Sequence, residues 1–259
     1  MKKGLLFAVV AVGILISETP ADQAWSILTT ALGDQNVDRR ASAVRALGLI
    51  VNNERARQLA ENSLGDPVAE VRAAAAESLG KMKAKASAPK LAERMTSDND
   101  TAVVFAAGAA LYALDDPRGY AFYYAVVTGQ RKSGESLLDS QIKMLHDQKA
   151  MEKEGLQGAL GFVPFGNVGY GVVKRVTRDD ASQVRAGALQ KLARDPDPRT
   201  AEALKWAAAD TKWIVRAAAI TAIAERGDPK LMSAVTPLLA DENDCVRFTA
   251  AAATLRLSK

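Results

Sequence analysis

The chain carries one cysteine and one histidine, and only 5% of its 259 residues are aromatic. The single Cys245 closes no internal disulfide, so packing must hold the fold even in an oxidising compartment. His146 and one distant thiol assemble no zinc or di-iron ligand set from the usual residues, so neither a metal nor a cofactor is expected. Nucleophile elbows, phosphate loops and dinucleotide glycine motifs are missing as well. The carboxylate pairs Asp115-Asp116, Asp179-Asp180 and Asp241-Glu242 fall at turns, where capping accounts for them. No residue is nominated as catalytic, and no enzymatic activity is expected. Scarce aromatics beside clustered Ala favour close-packed helices over a sheet, because Ala is the best helix former and lets backbones approach.

Charge is nearly balanced, with 34 Lys and Arg against 30 Asp and Glu. That excess is too mild and too evenly spread to point to nucleic acid. Long uncharged runs are also few. One follows Met1-Lys2-Lys3, running from Gly4 to Ile16 and ending in Ser17-Glu18-Thr19-Pro20-Ala21. A basic start, a short apolar segment and small residues at Thr19 and Ala21 read as a secretory signal peptide. As a helix this segment spans about 20 Å, against roughly 30 Å of hydrocarbon. The expectation is cleavage after Ala21, export to the periplasm or the extracellular space, and a mature domain of residues 22–259.

What is present is a repeat. Asp34, Asp66 and Asp98 recur every 32 residues, and Asp179, Asp210 and Asp241 every 31. Six residues after each Asp stand Arg40, Arg72, Val104, Arg185, Arg216 and Arg247. Thirteen residues after each stand Leu47, Leu79, Leu111, Leu192, Ile223 and Thr254. A period near 30 with two helical segments per unit describes stacked helix pairs, none able to bury its apolar face alone. Leu28, Ala31 and Leu32 form one apolar stripe, and Ala43, Val44, Leu47 and Ile50 another. Asp116-Pro117, Asp197-Pro198 and Asp228-Pro229 carry helix-start chemistry, an Asp cap followed by Pro where no N–H bond is needed. The recurring Asp is placed to cap the second helix of each unit. The Arg can reach that carboxylate or the one in the adjoining unit, making a structural ladder of charge-assisted hydrogen bonds.

The pattern D-x4-[VR]-R-x2-A-x3-L resembles the HEAT repeat, in the short variety also found in phycobilin-lyase subunits. The match is good over residues 24–116 and 179–257. The resemblance implies an all-α solenoid of about seven antiparallel helix pairs, stacked right-handedly with the second helices on the concave face. It implies no single activity. The function expected is an exported, non-enzymatic scaffold for a protein partner, the alternative being a lyase-like or chaperone-like factor acting on a protein client.

Residues 117–178 break the period. Arg118–Thr128 reads as a first helix with aromatics on several faces, and a Gly-rich insertion follows later. Residues 155–173 hold no charge but six Gly. Three roles fit this stretch: a cover over the solenoid's own apolar surface, a partner-binding element with Phe162, Phe165 and Tyr170 as anchors, or a membrane-dipping loop. Membrane contact, if any, falls to 155–173 or to an uncleaved N-terminal segment. Trp206 and Trp213 are expected to cover the junction between units.

Overall fold

The computed structural model describes residues 18–128 and 181–258, and every regular element among them is helical. The first segment forms α1 (Pro20–Leu32), α2 (Val37–Leu47), α3 (Glu54–Ser63), α4 (Ala69–Lys81), α5 (Ala88–Ser97), α6 (Thr101–Ala113) and α7 (Pro117–Thr128). The second forms α8 (Ser182–Leu192), α9 (Pro198–Ala208), α10 (Trp213–Arg226), a short α11 (Met232–Val235) between two 3-10 turns, and α12 (Asp244–Leu257). This is the all-α solenoid that the repeat implies. The Gly-rich insertion lies outside the described residues.

Helix starts follow local chemistry. Thr19 and Asp22 make a reciprocal capping box at α1. Asn36, Asn53, Asp100, Asp197 and Asn243 each accept a backbone N–H from the first turn of the following helix. Each such cap contributes about 1 kcal/mol. Small residues set how closely the helices stack. A Cβ placed on Gly80 would stand 3.0 Å from the Cα of Ala110, so α4 and α6 meet almost backbone to backbone. The stripe Ala43, Val44, Leu47 and Ile50 is fully buried.

Packing order differs from chain order. The second helices stack as α8, α10, α12, α2, α4 and α6, so the last helix pair sits directly before the first. Among the described residues α7 packs on α6 at one end of this array, and α8 stands at the other. Beside the packing of α1 and α2 on α12, two polar contacts tie the junction together. Arg256 Nη1 donates to the Leu49 carbonyl at 2.9 Å, and Arg39 Nε stands 3.2 Å from the Asp244 carboxylate. An array of this kind needs its terminal repeats capped against water. Here the first and last pairs cap one another.

The tryptophans part company. Trp213 packs against the core, whereas Trp206 is exposed and covers no junction between units, because it lies on the outward side of α9. No helix among the described residues is long and apolar enough to cross a membrane.

Candidate protein-binding face

The repeated charges lie along one edge of the stack. Arg40 donates from Nε and Nη2 to both carboxylate oxygens of Asp66, at 2.9 and 3.1 Å. Arg72 does the same to Asp98, and Arg216 to Asp241. Arg185 reaches Asp210. Each of these four Arg therefore bonds forward, to the Asp of the next unit. Its remaining Nη1 turns back to the carbonyl of its own unit's Asp: Arg40 to Asp34, Arg72 to Asp66, Arg216 to Asp210 and Arg247 to Asp241. The carboxylates also accept the N–H two residues on, as Asp66 does from Val68, and so shape the turn before the helix.

Burial pushes the carboxyls of Asp66, Asp98 and Asp241 up, but their Arg bonds and the turn N–H outweigh it and hold all three below the usual range. In these rungs the guanidinium donors and carboxylate acceptors are engaged with one another. Val104 replaces the Arg in the third unit and is fully buried instead. Asp179, the start of the fourth rung, lies outside the described residues. So do Phe162, Phe165, Tyr170 and His146.

The opposite edge carries a second set of ties that the repeat pattern did not signal. Lys83 reaches the carbonyl of Ala113, and Arg226 that of Asp195. Arg256 bridges Leu49 and Glu225. These cations meet the unsatisfied carbonyls at the C-terminal ends of neighbouring second helices. Of the basic run Lys81, Lys83, Lys85 and Lys90, Lys83 is held in this way and Lys90 pairs with Glu61 at 2.7 Å.

An uncommitted surface lies at the α6–α7 end. Residues 101–113 of α6 are apolar on all sides, so this helix can be covered on every face. Asp115, at φ 60°, turns the chain through the left-handed region, and α7 then folds back along α6. Gly119 permits the approach: a Cβ there would lie 2.2 Å from the Tyr112 nitrogen. Phe105, Phe122 and Tyr123 interlock edge to face with centroids 5.5–5.7 Å apart, and Tyr123 meets Tyr112 in the same manner. The outer side of α7 presents Tyr120 and Tyr124, stacked at 6.2 Å. Tyr112, Tyr120, Tyr124 and Val127 are 56, 64, 48 and 81% exposed. Periodicity had shown aromatics on several faces of this helix; which of them stay outside depends on the Gly119 contact. The described residues bring together no group of three or more His, Cys, Asp or Glu able to hold a metal.

The model of the HEAT-repeat family matches residues 26–112 and 171–256, which is more than half of the chain. The protein belongs to the HEAT-repeat family. No curated protein matches it in sequence. Among solved structures it is similar to human deoxyhypusine hydroxylase in complex with glycerol, at 15% identity and a TM-score of 0.37, over 92% of this chain and 97% of that one. The expectation of a non-enzymatic scaffold is corrected by the family match, which carries no such restriction. The physical reason is general: a helical stack sets backbone positions, whereas activity resides in the side chains that its faces carry. HEAT repeats therefore do not by themselves specify a non-enzymatic scaffold.

Proposed function

We propose that this HEAT-repeat protein binds another protein, and that the outward face of α6–α7 is where it does so. HEAT repeats are typically protein-interaction modules, which supports binding as the class of function. The observation that carries the location is the exposure of Tyr120, Tyr124 and Val127 at i, i+4 and i+7 along α7, beside the exposed Tyr112 of α6. Tyrosine brings large, stiff contact area with a polar tip, and is enriched where binding energy concentrates. The charged edges of the stack, by contrast, are occupied with their own bonds. The test is capture of proteins by the full-length chain, with Tyr120→Ala/Tyr124→Ala beside the wild type. Capture should fall at least tenfold while the melting curve stays in place. Equal capture by both proteins defeats the reading.

We propose also that residues 1–21 direct export and are removed after Ala21. The basic start and the uncharged run from Gly4 to Ile16 support this. N-terminal sequencing of the protein from its own cell decides it: a chain that retains Met1 inside the cytoplasm rules it out.

A further inference from the structure

Three buried side-chain atoms among the described residues have no hydrogen-bond partner: Arg39 Nε, Arg45 Nε and Thr254 Oγ1. All three sit on α2 or α12, the two helices that flank the junction between the first and last pairs. Where α2 carries Arg39, the other units place Val71, Val103, Val184, Val215 and Val246. A buried polar group without a partner costs about 1–3 kcal/mol, and Arg39 Nε, which faces Asp244 of α12, puts such a group at the junction itself. Thr254 stands where other units place Leu47, Leu79, Leu111 or Ile223, all aliphatic.

The rung at this junction is also different. By the rule of the other units, Arg247 should grip both oxygens of Asp34, the next Asp in the stack. Instead Arg247 pairs with Asp244, Asp244 faces Arg39 at 3.2 Å, and Arg39 pairs with Asp34 at 2.7 Å. A relay through two half-exposed side chains replaces one bidentate bond, and the Arg39 Nε that faces Asp244 makes no hydrogen bond to it. Exposed pairs of this kind contribute about 0–1 kcal/mol each. On the other edge the junction depends on Arg256, whose charge burial disfavours. No short loop joins the two sides, since the bond from Arg256 to Leu49 closes across 207 residues.

We propose that the α2–α12 junction is the plane along which the molecule opens, with residues 18–128 and 181–258 parting as two intact stacks. Within each stack direct Arg–Asp rungs join successive units; between the stacks none does. Pulsed electron resonance between spin labels on full-length protein reads this motion directly. One pair goes at the exposed Asp38 and Glu242, on opposite sides of the junction, and a control pair at Asp38 and Glu70 within one stack, with Cys245→Ser to leave no other thiol. Below the urea concentration of global unfolding, the 38–242 pair should show a second distance, longer by at least 10 Å, while the 38–70 pair stays single. Thr254→Val, which removes the orphaned hydroxyl at constant shape, should reduce the separated fraction at least threefold, and Arg256→Gln should raise it by a similar factor. A single 38–242 distance up to global unfolding overturns the proposal. Equal broadening of both pairs, or a separated fraction that neither substitution changes, does so too.

Discussion

Arg72 grips both carboxylate oxygens of Asp98 at 2.8 and 2.7 Å across 26 residues of sequence, and the Asp98 side chain is 1% exposed. The same guanidinium donates at 3.0 Å to the carbonyl of Asp66, so one side chain joins two consecutive turns of the array. A surface pair looks superficially similar: Arg199 bonds Asp197, but the Arg side chain is 92% exposed.

Arg72→Ala should therefore cost about 3 kcal/mol, because it strands a buried carboxylate. Arg199→Ala should cost less than about 1 kcal/mol. Urea unfolding of the two variants beside the wild type measures the contrast. Equal losses would mean that the buried ladder has no special weight.

The ladder sets the response to acid. Asp66, Asp98 and Asp241 titrate lower in the folded protein than in the unfolded chain. Their contribution is complete above the unfolded value of about 3.9 and is lost as pH falls through the folded values. The melting temperature should hold down to about pH 5 and drop steeply below pH 4. In Asp98→Asn that acid limb should be shallower and the neutral plateau lower, as thermal melts across pH will show.

Glu77 behaves in the opposite sense. Burial raises its carboxyl above the usual range, and Arg45 and Lys81 only partly offset this. Ionisation is then more costly in the folded state, so Glu77→Gln should raise stability at pH 7. The advantage should vanish toward pH 4, where both forms of the chain bind the proton. Calorimetry at the two pH values separates this from a uniform packing effect.

Two glycines should answer alanine differently. At Gly119 a Cβ would meet the Tyr112 backbone at 2.2 Å, so Gly119→Ala must push α7 off α6 and cost several kcal/mol. At Gly187, inside α8, nothing lies within 4 Å, and Gly187→Ala should stabilise by about 0.5–1 kcal/mol. Loss of the Tyr112–Tyr123 contact in Gly119→Ala should also change the near-ultraviolet dichroism.

Cys245 should be a slow thiol. Burial pushes its pKa up, and neither Thr249 nor the nearby Arg45 charge brings it back to the ordinary value. Alkylation of the native protein at pH 8 should run well below the rate for a free cysteine and keep rising at higher pH. A rate equal to that of the unfolded chain would contradict the burial.

Much of the stack was readable from residues. The 31- and 32-residue spacing announced the helix pairs, and the Asp-x5-Arg pattern announced their charged edge. The direction of each rung was not readable, because from the helix's first turn an Arg can reach its own unit's carboxylate or the next one. Nor was the second edge. Lys83, Arg226 and Arg256 bond backbone carbonyls, and a carbonyl leaves no mark on residue identity. The tyrosine face was half legible: aromatics were evident in 118–128, but their outward side depends on how Gly119 seats α7.

Sequence by itself determined the unit: two helices, small apolar contact surfaces, and an Asp with, in all but the third of the six units, an Arg six residues on, all local consequences of periodicity and capping. Only the tertiary structure decided the order in which units stack. Every unit offers nearly the same complementary faces, so the pattern is satisfied whichever unit follows which. Placing the last pair before the first buries two faces that a linear array would leave in water, at the cost of a junction whose polar groups do not all find partners.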